Sequence, residues 1–445
     1  MIGTSIYWAL DRVAGNTVAP KLRTLLGNQF LDRRRILELQ SDGLAQMVQH
    51  AAHTVPFYGR LFAEHGIRAS NIRSLDDLQK LPILTKKDLA DHFEDHVALP
   101  ARRQRLVRRR TGGTTGIPVN VVVDRHGNGW EVASYWRGCS WAGYRPGVPV
   151  AKIFGGSLGL VSTKKRHVLK RHLLRELHLP VFELTRERAR DFARRIEQHR
   201  TQVLIGYASA LVRLGEYLQA EEIALRVPIV LPKAERVDAA TRAALESHFS
   251  GRVFDAYGSG EVTGVAHECE RHSGMHVSED VYIVEVLDDA LKTPAVSGRV
   301  VVTTLRNTAM PLLRYLNDDL ATVDASPCPC GRHFLRFLEL LGRKNDELIR
   351  SDGSRVSPVF APHLFQKIPE IRRGQIVQPE LTRLVVRLSL RPGSNEQDIA
   401  EQVRSAVHYA LGAIRIDFEF PPDILGSGDQ KFRAQVCLLK EKVGA

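Results

Sequence analysis

The sequence predicts an α/β protein: a large N-terminal α/β domain with parallel sheets and a β subdomain over residues 1–342, then a small, mobile C-terminal α/β domain over 343–445. Three observations carry this. From about 129 to 257, apolar strand-like runs alternate with helical stretches, the rhythm of βαβ units and a parallel sheet. After Val277 the runs VYIVEVLD, SGRVVVTTL and DDLATV follow one another without long helices, which marks a β subdomain. Past GRKND at 342–346, a strand-strand-helix-strand set of about 100 residues has the size of a separate domain.

Each element has its own signal. From 32 to 66 the apolar residues Ile36, Leu37, Leu44, Met47, Val48 and Ala51 recur near helical spacing, with a turn expected at TVPFYGRLF. LDDLQKLPILTKKDLADHF gives two short helical pieces parted by Pro82, the second capped by Thr85. LVRR and VNVVVD read as strands flanking RRRTGGTTGIP. Next come a helix over 129–139, a strand in VPVAKIFG, the basic segment TKKRHVLKRHLLREL, a helix over 186–199, strand TQVLIGY and a helix over 210–222. Strand VPIVLP, a helix over 238–249 and strand RVFDAYG complete the series. In the C-terminal part we expect a helix over 359–367, strands GQIVQPE and TRLVVRLSLR, a helix over 396–411 and strand IRIDFEF.

At 445 residues, 43% of them hydrophobic and 25% charged, the chain can bury sizeable cores and is not disordered. Its formal net charge of +13 favours anionic partners: nucleotides, phosphorylated cofactors, nucleic acid or a membrane surface. The basic runs ARRQRLVRRR and TKKRHVLKRHLLR lack interleaved aromatics and any base-reading module, which argues against nucleic acid. No apolar run approaches the ~20 residues of a membrane span. Asp11 and Arg12 interrupt the start where a signal peptide stays apolar, so a cytoplasmic protein is expected. Five cysteines are too few and too unevenly spaced for a disulfide framework.

In RRRTGGTTGIP, glycines let backbone N–H groups approach a ligand, while threonine hydroxyls and guanidiniums supply donors to an anion. A Walker loop needs a lysine after its last glycine and a helix after that; here Ile117, Pro118 and a valine run follow. The nucleotide chemistry must be another. TGGTTGIP is followed in order by KAERV at 233–237, YGSGEVTG at 257–264, LRYLNDDLA at 313–321, GRKND at 342–346 and GSGDQKFR at 426–433. This series, together with HTVPFYGRLFAEHGI near the start, resembles the adenylate-forming acyl/aryl-CoA ligase superfamily over nearly the whole chain. More narrowly it resembles the phenylacetate-CoA ligase family, with its capsular-polysaccharide and F390-synthetase-like relatives.

The resemblance implies an ATP-dependent ligase that joins a carboxylic acid to AMP and then passes the acyl group to coenzyme A, or to an amine or carrier-protein thiol. It implies that Thr111, Gly112, Gly113, Thr114, Thr115 and Gly116 hold the ATP phosphates. Ala234 and Glu235 would line the adenine, and Tyr257 would stack on it in the turn with Gly258 and Ser259. Glu261 would hold Mg2+, Asp319 the ribose hydroxyls, and Arg343 nucleotide oxygens from the hinge. Lys431 would neutralise the carboxylate and the α-phosphate as they react. Three positions depart from the family: Gly260 replaces a hydroxyl residue for which Ser259 or Thr263 can stand in, Val119 replaces a lysine, and Asn345, beside Asp346, replaces the usual hinge aspartate. Tyr135, Trp136, Trp141, Phe154 and Tyr207 are candidate linings for an aryl pocket. The acid itself is not specified, and a homodimer is compatible with the chain.

Cys328-Pro-Cys330 offers two thiolates, and HECERHSGMH adds Cys269 with His272 and His276. Three thiolates and one imidazole make a closed tetrahedral structural zinc set, with His276 or His272 as the fourth ligand.

Overall fold

The computed structural model describes residues 2–13, 15, 17–110, 119–154, 171–358, 360–424 and 432–439. It divides into two compact units, residues 1–317 with 321–339, and residues 318–320 with 340–445.

The first unit opens on helices α1 (Ile2–Val13), α2 (Val18–Asn28), α3 (Arg33–Thr54) and α4 (Pro56–Glu64). Asp32 starts α3 by accepting the Arg35 N–H at 2.9 Å, and Ile36, Leu44, Met47, Val48 and Ala51 form its buried stripe. The expected turn at TVPFYGRLF is instead α4: Pro56 at its first position supplies a helical φ where no N–H is needed. Two short helices follow, α5 (Leu75–Leu78) and α6 (Lys86–Asp91), each closed by a capping box, Ser74 with Asp77 and Thr85 with Asp88.

Strands β1 (Val107–Arg110) and β2 (Asn120–Val123) form an antiparallel pair, and α7 (Arg125–Trp141) follows, capped by Asp124. A five-stranded, all-parallel sheet comes next: β3 (Val150–Phe154), β4 (Glu176–Pro180), β5 (Val203–Tyr207), β6 (Ile229–Lys233) and β7 (Arg252–Val253), in the order β4-β3-β5-β6-β7. Helices α8 (Arg186–Gln198), α9 (Ala208–Gln219) and α10 (Ala239–Phe249) connect its strands. β5 is buried at every residue, as expected of a strand covered on both faces. The basic segment was not expected to contain a strand, yet Glu176–Pro180 pairs with β3; Lys152 and His178 both meet the Glu176 carboxylate, offsetting the charges along this edge.

RVFDAYG is not one strand. Arg252–Val253 closes the parallel sheet, and β8 (Ala256–Tyr257) begins a second, seven-stranded sheet. That sheet adds β9 (Ala266–Glu268), β10 (Met275–Val277), β11 (Tyr282–Leu287), β12 (Ser297–Thr304), β13 (Tyr315–Asp324) and β14 (Arg336–Arg343), in the order β11-β12-β13-β14-β10-β9-β8. Helix α7 is fixed against it by Arg137, fully buried, whose two terminal nitrogens hold the Asp280 carboxylate at 2.7 and 2.8 Å. At Gly138 a Cβ would lie 2.0 Å from the Cγ of buried His267. Gly138→Ala is therefore expected to cost about 1–3 kcal/mol, read as a lower urea midpoint of the first unit.

The second unit holds β15 (Leu348–Ile349), β16 (Arg355–Val356), α11 (Phe360–Gln366), β17 (Ile371–Glu380), β18 (Arg383–Leu390), α12 (Glu396–Leu411), β19 (Arg415–Glu419) and β20 (Gln435–Cys437). Its four-stranded sheet runs β19-β18-β17-β20, and Ile399, Val403, Val407 and Leu411 of α12 enter the core with Ile376, Leu384, Val386 and Leu388. The sequence showed no strand after GSGDQKFR, but the chain re-enters the sheet there, with β20 parallel to β17. No helix among the described residues is long and apolar enough to cross a membrane.

Candidate functional site: a nucleotide-type turn and a thiol–imidazole cluster

In the first unit, the turn after β8 is built tightly. A Cβ on Gly258 would stand 3.1 Å from the Gly264 nitrogen, and the Ser259 N–H donates to the Val262 carbonyl at 2.7 Å. Tyr257, buried, accepts a hydrogen bond from Asn317 at 2.7 Å and meets Phe337 edge-on at 5.2 Å. Glu261 is only 5% exposed and accepts the Tyr315 hydroxyl at 3.0 Å. Among the described residues no cation lies within ion-pair distance of it. A buried carboxylate with a neutral donor has the chemistry of a ligand for a divalent cation.

Gly260 leaves no side chain at its position, and the two stand-in hydroxyls differ. Ser259 Oγ accepts the Glu261 and Val262 N–H groups at 3.3 Å. Thr263 Oγ1 donates to Glu131 at 2.7 Å and so belongs to another network. In that network Arg109 of β1 binds Glu131 and, through its other terminal nitrogen, Asn128 at 2.9 Å. Burial pushes the Glu131 carboxyl up, against the pull of Arg109. Sequence reasoning missed this link between β1, α7 and the 257–264 turn, because residues 22 and 132 positions apart carry no local pattern.

Ala234 takes a left-handed φ of 69° directly after β6, and the Glu235 carboxylate accepts the Ser209 N–H at 2.7 Å and its hydroxyl at 3.0 Å, at the start of α9. The segment is thus held at the carboxyl end of a parallel strand, where α/β sheets bind ligands. In the second unit, Arg343 lies 3.5 Å from Asp319, and Arg433 holds Asp346 at 2.6 Å. Burial raises Asp346 to about 6 despite that guanidinium. Asp346, beside the expected hinge position, is therefore tied to a residue two places beyond Lys431. Thr111, Gly112, Gly113, Thr114, Thr115, Gly116, Lys431 and the side chain of Asn345 lie outside the described residues.

Cys269, His276, Cys328 and Cys330 converge, with all ligand atoms within 4.8 Å of one another. Cys269 follows β9, His276 is on β10, and the two remaining thiols sit in a knuckle where Gly331 takes φ 84° and donates to the Cys328 carbonyl. Cys269 Sγ is 3.9 Å from Cys328 Sγ, and Cys330 Sγ is 3.3 Å from His276 Nε2. A tetrahedron with metal–sulfur bonds of ~2.3 Å has edges of about 3.8 Å, so the set has the dimensions of a zinc site. His272 is not brought to it: its ring nitrogens meet Glu268 at 3.3 Å and Arg252 at 2.9 Å. Burial pushes the Cys269 thiol up to about 12 and lowers His276 to about 3, Arg332 and Arg336 adding to the latter.

No protein-family model matches the chain. A phenylacetate-coenzyme A ligase of Thermus thermophilus is 29% identical over 359 residues, covering 77% of this chain and 78% of the relative. Phenylacetate-coenzyme A ligases of Aromatoleum evansii and Escherichia coli are 26% and 27% identical over 374 and 334 residues, covering 80% and 72% of this chain and 82% and 74% of the relatives. The chain is thus similar to phenylacetate-CoA ligases along some three quarters of its length. The fold agrees. A 2-hydroxyisobutyryl-CoA ligase in the postadenylation state, solved with R3-HIB-AMP, superimposes with a TM-score of 0.75 at 20% identity, covering 94% of this chain and 92% of that one. An open conformation of that ligase, with 2-HIB-AMP and CoA, gives 0.63 at 19% identity, covering 93% of each.

Proposed function

We propose that this phenylacetate-CoA ligase relative is an ATP-dependent acid–CoA ligase of the cytoplasm. A carboxylate oxygen attacks the α-phosphorus of ATP and pyrophosphate leaves; the CoA sulfur then attacks the acyl carbon, its proton passes to solvent, and AMP leaves. The supporting observation is likeness to phenylacetate-CoA ligases along some three quarters of the chain. Acid-dependent pyrophosphate release with ATP and Mg2+, screened over aryl and short-chain acids with and without CoA, tests it; release with no acid of either class would contradict it.

In this reading residues 111–116 bind the β- and γ-phosphates, the backbone at Ala234 and Glu235 faces the adenine, and the Tyr257 ring stacks on it. Glu261 would hold Mg2+, which supplies positive charge against the phosphates. Asp319 takes the ribose diol while Arg343, now beside it, turns to phosphate or ribose oxygens. Asp319→Ala is expected to weaken ATP binding by about 1.5–3 kcal/mol, the worth of a charge-assisted hydrogen bond, measured by calorimetry. Cys269, His276, Cys328 and Cys330 would hold a structural zinc ion, which would fasten the turn before β14 to β9 and β10.

A further inference from the structure

Lys233 ends β6, level with Tyr207 on β5, and leads directly into Ala234 and Glu235. Through Gly206, Pro232 stands level with Ile153, so side-chain alternation puts Lys233 and Lys152 on one face of the parallel sheet, with Lys233 nearer the strands' carboxyl ends. Helix α7 supplies Tyr135 over that face. The Lys233 ammonium lies 5.5 Å from the Tyr135 ring centre, half-buried, and burial lowers its pKa. Beyond Tyr135 is a cavity of about 70 Å³ that Tyr7, Trp136, Tyr144, Lys152 and Glu176 also line. It is about half the size of a cavity that takes benzene, so it admits a substituent more readily than a ring.

The two lysines differ in one respect. Lys152 has its counter-ion, Glu176, at 2.8 Å. Lys233 has no carboxylate within 4 Å and no side-chain hydrogen bond among the described residues; Asp255, whose field reaches it, instead accepts the Ala256 N–H at 2.7 Å. A desolvated ammonium is costly without a negative partner, and the ring beside it, Tyr135, is also a wall of that cavity.

We propose that Lys233 determines the specificity of the acid pocket: the acid this enzyme activates carries a second anionic group, which pairs with the Lys233 ammonium beside Tyr135 while its first carboxylate reacts. This rests on the acid-ligase reading above and narrows its substrate class to diacids. A second carboxylate answers the charge left unpaired, and the Tyr135 ring adds a cation–π contact.

Matched acids test it by calorimetry without ATP: phenylacetate against its 2-, 3- and 4-carboxy derivatives, and butyrate against succinate. The wild type is expected to bind at least one diacid about 10-fold or more tightly than its mono-acid counterpart, as a charge-assisted hydrogen bond allows. Lys233→Met is expected to lose about 10–100-fold on that diacid and little on the mono-acid, with Lys233→Arg keeping most of the preference. No diacid preference in the wild type, or an equal loss on both members of a pair, overturns the proposal; the latter would place Lys233 on the reacting carboxylate. Pyrophosphate release is read separately. Diacid preference without ATP turnover overturns the ligase reading and leaves the Lys233 site standing, whereas turnover of phenylacetate with no diacid preference does the reverse.

Discussion

Replacing Lys431 by alanine is expected to lower acid-dependent pyrophosphate release by about 100- to 1,000-fold, the range for removing one group that stabilises charge developing in a transition state. The same variant is expected to convert a supplied acyl-adenylate and CoA to the thioester at a near wild-type rate. The asymmetry follows from where charge builds. In the first half-reaction a carboxylate approaches a negatively charged α-phosphate, and an ammonium between them counts most at the moment of attack. It therefore acts on kcat more than on KM. In the second half-reaction the acyl carbon is attacked and the α-phosphate is already esterified. Arg433, two residues on, holds Asp346, which places the end of GSGDQKFR beside the expected hinge within the second unit. Normal adenylation by Lys431→Ala, with failure only in thioester formation, would reassign the first step to another cation such as Arg343.

Protein purified without added zinc is expected to carry about one zinc ion per chain, given the four-ligand stoichiometry of a closed tetrahedral site. Stripping it, or making Cys328→Ser with Cys330→Ser, is expected to produce the largest stability loss of any change considered for the first unit. Metal affinity at such a site adds directly to folding, on the order of 10 kcal/mol in isolated zinc peptides. Four groups within 4.8 Å of one another, three of them thiols, tie β9, β10 and the knuckle to one point. His272→Ala is expected to keep the metal, because His272 faces Glu268 and Arg252 instead, while His276→Ala releases it. Fully stable, metal-free protein would falsify the zinc assignment.

Much of the fold was legible because its signals are local. The cap at Thr85 is stamped on the sequence, and α12 begins and ends where its apolar spacing says it should. What was missed is non-local or short. β4 is masked by the basic residues around it, and becomes a strand only because β3 offers an edge. RVFDAYG reads as one run, yet it bends after Val253 to serve two sheets. The site divides in the same way. Tyr257 and Glu261 were singled out by their motif, whereas the Lys233–Tyr135 contact and the Arg109–Glu131–Thr263 link depend on which side chains the fold sets opposite one another. The choice between His272 and His276 could not be made from spacing, since both lie close to Cys269 in sequence; register decides it, pairing His276 with Arg336 and His267 and so turning it towards the knuckle.

Attack of a carboxylate oxygen on the α-phosphorus of ATP is the step on which the proposed function turns. Its most direct test is to supply a substrate acid labelled with 18O in its carboxylate, together with ATP, Mg2+ and CoA, and to weigh the nucleotide product by mass spectrometry. AMP carrying one 18O atom, formed in step with the CoA thioester, is the expected result. Unlabelled AMP, or ADP with the label in inorganic phosphate, would contradict it.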